Sequence, residues 1–136
     1  MTTSIQNFST DQFVVTVNGR EITDWGDANP PYTEEPIDPA GVLRRGLGGS
    51  AIRLDRINPG IRSVLNINPG SADASYMRGL MNSKANITLT RIQIGTAEIA
   101  AFTEGVIVNR GSKGRGGMTI TDDQFTIEFN GADELE

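Results

Sequence analysis

Apolar and polar positions begin to alternate at Phe13. Phe13, Val15 and Val17 share one parity, with Val14 and Thr16 on the other, the period of a strand. Asn18-Gly19 follows. Both positions tolerate positive φ, so the pair predicts a type I′ hairpin turn with Arg20 to Asp24 as the returning arm. Alternation resumes over Ala51–Ile57, with Ile52 and Leu54 set against Arg53 and Asp55. Asn58-Pro59-Gly60 reads as a turn, and Ile61–Ile67 as an antiparallel return with Ile61, Leu65 and Ile67 on one face. Asn68-Pro69-Gly70 repeats the turn chemistry.

The pattern then changes period. Over Ser71–Ser83, Tyr76, Met77, Leu80 and Met81 form one stripe, which predicts a helix with that stripe as its core face. Ser71 can cap it, and Asp73 sits in the first turn, where the helix dipole favours an acid. Asn86–Ile94 returns to strand character, but Ile87 and Leu89 lie opposite in parity to Ile92 and Ile94. A bulge near Thr90-Arg91 would reconcile them. Gly95-Thr96 reads as a turn. Glu98–Asn109 is a long strand with Phe102, Val106 and Val108 in one register and Ile99 and Ile107 in the other. Arg110–Gly117 is a basic glycine-rich loop. Met118–Phe129 is a last strand region, broken at Asp122-Asp123, where the parity changes.

One stretch resists this reading. Trp25–Ala51 holds prolines at 30, 31, 36 and 39 and glycines at 26, 41, 46, 48 and 49. Neither a helix nor a central strand tolerates that density, so a long irregular loop is expected. Its Trp25, Tyr32, Ile37, Val42, Leu43 and Leu47 argue against a purely solvated linker. The expectation is a loop packed outside its own subunit; a flexible insertion and a loop folded over its own barrel are the alternatives. Residues 1–11 read as a polar N-terminal arm and 131–136 as an acidic, frayed tail.

Together these segments predict a single mainly β domain. It is a β-barrel or β-sandwich of about six to eight antiparallel strands with one helix and a long loop. With 136 residues one domain is the default.

Composition narrows the chemistry. There is no histidine and no cysteine, which removes the commonest general base, thiolate metal sites and the usual catalytic triads. The order of residues around Gly46–Gly49 and Gly111–Gly114 does not fit a phosphate loop. Glu34-Glu35 and Asp122-Asp123 are adjacent acids that would point to opposite faces of an extended chain, and they read as solvated carboxylates. No catalytic, cofactor-binding or metal-binding residues are expected, and no enzyme. A net charge of −5 argues against a general nucleic-acid binder. No apolar run reaches the roughly 20 residues of a membrane span.

Charge is segregated along the chain. Six acids and no Lys or Arg lie between Glu21 and Asp38. Arg44, Arg45, Arg53, Arg56 and Arg62 then stand against Asp55 alone, and Arg110, Lys113 and Arg115 lie together. Opposed acidic and basic loops suit head-to-tail stacking of copies. The residues expected in contacts between subunits or rings are Trp25, Tyr32, Glu34, Glu35, Ile37, Asp38, Leu43, Arg44, Arg45, Leu47, Arg110, Lys113 and Arg115.

The run DPAGVLRRGLGGSAIRLDRINPGIRSVLNI (38–67), with the following NPGSADASYMRGLM, resembles the tail-tube proteins of contractile-tailed bacteriophages. Gly48-Gly49-Ser50 match the end of that family's long loop, and Pro69-Gly70-Ser71 its helix entry. The tube of type VI secretion is similar by analogy. The resemblance implies a homo-hexameric ring whose sheets join into one shared barrel, stacked into a tube that conducts DNA without specific binding. It also implies sheath, baseplate and terminator partners, a place in the virion tail, and assembly in the host cytoplasm. A duplex-wide channel needs more strands than one such chain supplies, and closing the sheet across subunits removes its edges. The other classes weighed are a decoration, baseplate, tailocin or secretion-tube part, and a monomeric ligand-binding β-barrel.

Overall fold

The computed structural model describes residues 13–55, 59–93 and 98–135, the side chains of 132–135 excepted. The nine strands among them are β1 (Phe13–Val17), β2 (Arg20–Ile22), β3 (Tyr32–Pro36), β4 (Gly41–Arg45), β5 (Ala51–Asp55), β6 (Ile61–Ile67), β7 (Ile87–Gln93), β8 (Glu98–Arg110) and β9 (Asp123–Leu135). The one helix, α1 (Ala72–Asn82), lies between β6 and β7.

Seven strands form one sheet in the order β2-β1-β7-β8-β9-β6-β3, and β4 and β5 pair by themselves. All pairings are antiparallel. The sheet rolls up without closing. β2 and β3 remain its two edges, yet the rings of Phe13 on β1 and Tyr32 on β3 lie 5.7 Å apart. The inward side chains of the roll form the core: Val15, Val17, Leu65, Ile67, Ile87, Leu89, Phe102, Phe125, Ile127 and Phe129 are at most 1% exposed. Met77 and Ala74 of α1 join them at 0%.

The β1–β2 hairpin forms as its sequence dictates, with Asn18 at φ 49 and Gly19 at φ 87. Ser71 caps α1, its hydroxyl accepting from the Ala74 N–H at 3.2 Å. The helix's buried face is rotated from the expected one. Asp73, Ala74 and Met77 are buried, Tyr76 and Leu80 pack at the margin, and Met81 is half-buried outside the core cluster. Asp73 is responsible. Its carboxylate turns inward to accept the N–H groups of Thr23 and Asp24, each at 2.9 Å, and Arg20 Nε at 2.8 Å.

Other expectations are corrected by the pairing. β5 does not return into β6; it pairs with β4, from Gly41↔Asp55 to Arg45↔Ala51. β6 pairs instead with β3 and β9. The stretch 25–51 is therefore not one irregular loop but an edge strand and half of a separate hairpin. Proline is tolerated at these edges because Pro36 closes β3 at the sheet margin.

No bulge occurs at Thr90-Arg91. The irregularity lies opposite, where two steps of β7 from Ile87 to Leu89 face three of β8 from Gly105 to Phe102. Glu104 absorbs the extra residue at φ 55. This switch turns Phe102 and then Gly105 inward, while Val106 and Val108 are 48% and 45% exposed. Phe102 and the two valines thus do not share a face. Glycine is favoured at 105, because a Cβ there would strike the Phe129 ring unless the ring shifts.

Met118 and Ile120 lie in an exposed loop rather than a strand, which begins only at Asp123. The C-terminal stretch is not a frayed tail, since Gly131–Leu135 pairs with Ile99–Thr103. Residues 1–11, Asn58, Ile94 and the Gly95-Thr96 turn lie outside the described residues.

Candidate assembly surfaces

The β4–β5 hairpin is an arm with no cover among the described residues. All ten of its strand residues are exposed. Directly paired residues of an antiparallel ladder share a face. Val42 with Leu54 and Arg44 with Ile52 therefore lie on one side, and Leu43 with Arg53 and Arg45 with Ala51 on the other. The first side presents three aliphatic groups, Val42 at 53%, Ile52 at 59% and Leu54 at 53% exposed. The same side also carries Arg44, and the second carries Leu43, Arg45 and Arg53, with Arg53 Nε 2.8 Å from Asp55 Oδ1. At the tip, Gly46 N–H donates to the Ser50 carbonyl at 2.8 Å, and Leu47 is wholly exposed. A lone two-stranded hairpin is marginally stable in water. This amphipathic arm gains most from docking its aliphatic face on another surface.

A second exposed element is the loop between β8 and β9, with Met118 and Ile120 bare at its crown. Asp123, itself 0% exposed, anchors its base. Arg115 Nη2 lies 2.9 Å, Lys113 Nζ 3.7 Å and Arg78 Nη1 4.0 Å from its oxygens. Asp122 points the other way and accepts N–H groups of Asp27 (2.9 Å) and Ala28 (3.0 Å). Gly26 leaves room for that carboxylate, which a side chain there would strike. The two aspartates do face opposite sides. Neither is a merely solvated acid, because each organises a loop.

The expected contact residues therefore divide. Leu43, Arg44, Arg45 and Leu47 come together, exposed, on the arm. Ile37 is half-buried and Asp38 exposed, their N–H groups donating to the carbonyls of Gly60 and Pro59. Arg110 is exposed at the end of β8, but Lys113 and Arg115 belong to the Asp123 cluster within the chain. Glu35 is bonded by Arg62, which also reaches Glu128; the hydrogen bonds that Arg62 donates to Glu128 and then to Glu35 push its pKa upward and keep it charged.

Trp25, Tyr32 and Glu34 turn toward their own subunit. Trp25 and Tyr32 rings lie 6.2 Å apart and both flank Phe13. Tyr32 donates its hydroxyl to Glu34 Oε1 at 2.7 Å. Burial, with the Glu34 carboxylate adding to it, pushes the Tyr32 phenol far up, so it stays protonated. Arg91 Nε donates to the same oxygen of Glu34. Burial works against the Arg91 charge, but this hydrogen bond and the Glu34 field outweigh it. Asp73 shows the same balance in reverse. Burial alone would raise its carboxyl, yet the Asp24 and Thr23 N–H groups and Arg20 hold it below the usual carboxylate range.

The sequence reading missed Val42, Ile52 and Leu54 as one surface. Part of the signal was present: a five-residue alternating segment, Ala51–Asp55, follows the glycine-rich run Gly46–Gly49, which is hairpin chemistry. Among the described residues no group of three His, Cys, Asp or Glu could hold a metal ion, and no helix is long and apolar enough to cross a membrane.

No protein-family model matches the chain, and no curated protein matches its sequence. Solved structures do resemble it. A chain in the sheath–tube complex of an extracellular contractile injection system (PVC, extended state) superposes with a TM-score of 0.60 at 14% identity, over 95% of this chain and 91% of that one. The tube-terminating cap of the anti-feeding prophage gives 0.59 at 14%, over 99% and 95%. A chain of the anti-feeding prophage baseplate gives 0.56 at 9%, over 99% and 97%. The rolled sheet, the single helix and the projecting arm make up a tail-tube-like fold, one shared with components of contractile injection systems.

Proposed function

We propose that this chain is a structural subunit of a phage-type contractile tail or injection particle, and specifically a tube subunit. Copies join through the β4–β5 arm into hexameric rings, the rings stack, and DNA passes through the lumen without specific binding. The observation that carries this reading is the arm, whose Val42, Ile52 and Leu54 face has no cover among the described residues. Contiguous apolar surface of this kind on a soluble protein marks an interaction site. The likeness to contractile injection components supports the same reading. The two free sheet edges, β2 and β3, would pair across subunits and so be protected from uncontrolled aggregation. The net charge of −5 would let a phosphate backbone slide rather than stick. Sheath, terminator and baseplate proteins are the partners such a tube requires, the virion tail is its location, and catalysis has no part in it.

A ring that ends or starts a tube is the second reading, favoured by the similar fit to a tube-terminating cap and a baseplate chain. Electron microscopy of the purified chain separates the two. Long stacked tubes support the first, and single unstacked rings the second.

A further inference from the structure

A cavity of about 630 Å³ opens beside the sheet edge at β3. Phe13, Trp25, Tyr32 and Pro31 form its apolar walls, and Arg91 and Gln93 lie among its lining residues. Gln93 is buried at the cavity wall, and among the described residues its Nε2, sealed from solvent, has no hydrogen-bond partner. The open walls are apolar, so the site suits an occupant that brings an apolar group.

We infer that the cavity is the receptor for the arm tip of a second copy, with Leu47 seated among the aromatic rings. The inference rests on the assembly reading above. Leu47 is wholly exposed and flanked by Gly46, Gly48 and Gly49, so its neighbouring backbone is bare and can approach closely. Charge is complementary. Within the cavity Glu34 and Arg91 neutralise each other, but Asp24 and Asp27, both exposed and adjoining the lining residues Trp25, Gly26 and Ala28, add acid beside it. The arm brings Arg44, Arg45 and Arg53 against one acid, Asp55. Two strands of five residues carry the tip about 17 Å from its base, enough to reach a neighbour. Tip and cavity are different patches, so the contact is heterologous and propagates from copy to copy.

The chain has no cysteine, so site-directed cross-linking is clean. Leu47→Cys and Ala28→Cys chains, the latter altered at the cavity wall, are mixed, oxidised and digested. The expected product is a peptide joining position 47 of one chain to position 28 of another. Trp25 is the only tryptophan, so its emission should shift to the blue on assembly of the unaltered chain. Leu47→Ser should abolish that shift and raise the protein concentration needed for assembly by roughly ten- to a hundredfold, the worth of one buried leucine. Particles that form with only 47–47 links, or with none, overturn the receptor and leave the assembly reading standing. A chain that stays monomeric overturns both. Trp25 emission that changes in dilute monomer when residues 2–11 are removed, or a small molecule carried through purification and seen by native mass spectrometry, assigns the cavity to another occupant and overturns the inference.

Discussion

Arg91 on β7 and Glu34 on β3 are joined by a hydrogen-bonded ion pair although three strands, β8, β9 and β6, separate their strands in the sheet. Their side chains are only 16% and 15% exposed. The pair shows how tightly the sheet rolls, since two inward-facing side chains from distant strands meet across the interior. Removing one partner strands the other charge, which in partly buried sites costs about 3 kcal/mol. Arg91→Leu or Glu34→Leu should each lower stability by about that amount in urea unfolding. The double replacement Arg91→Met with Glu34→Leu should recover most of the loss.

Asp73 makes stability depend on acid. Its carboxyl is held below the usual range in the fold, whereas an unfolded aspartate titrates near about 3.9. The stabilisation is therefore fully present above about pH 4 and is lost as pH falls through the lower folded value. Asp73→Asn should lose about 2 kcal/mol at neutral pH, with Thr23 and Asp24 N–H groups left poorly paired. It should also show a flatter stability profile on the acid side, measured by denaturant midpoints between pH 2 and 7.

Gly105 tests the bulge on β8. Gly105→Ala should destabilise the protein by about 1–3 kcal/mol, because the methyl group must displace the Phe129 ring from the core. Thermal unfolding checks this, and a neutral substitution would mean that Phe129 yields freely.

Much of the sheet was legible because its signals are local. Asn18-Gly19 dictates a hairpin, and Pro69-Gly70-Ser71 a turn and a cap. The failures share another cause: they depend on which strand lies beside which. Ile52 and Leu54 alternate equally well whether β5 pairs with β6 or with β4. The extra residue at Glu104 is invisible without its partner strand, so Val106 and Val108 suggested the wrong parity. Glu34 and Asp123 read as solvated acids because Arg91 and Arg115 reach them from elsewhere in the chain. Leu47 and Arg44 could be placed on an interaction loop from sequence, but the aliphatic face of Val42, Ile52 and Leu54 needed the register.

The arm should be separable from the body. Replacing Val42, Ile52 and Leu54 together with serine removes apolar side chains that touch no core residue, so the thermal midpoint should change little. Assembly should fail, as read by sedimentation velocity at matched concentrations. A large loss of thermal stability would place those side chains against their own subunit.

The most direct measurement is cryo-electron microscopy of the purified full chain at high concentration. Rings or stacked tubes are expected, in which the β4–β5 arm of each copy lies on its neighbour. Dispersed single copies with the arm folded onto their own sheet would contradict the proposed assembly.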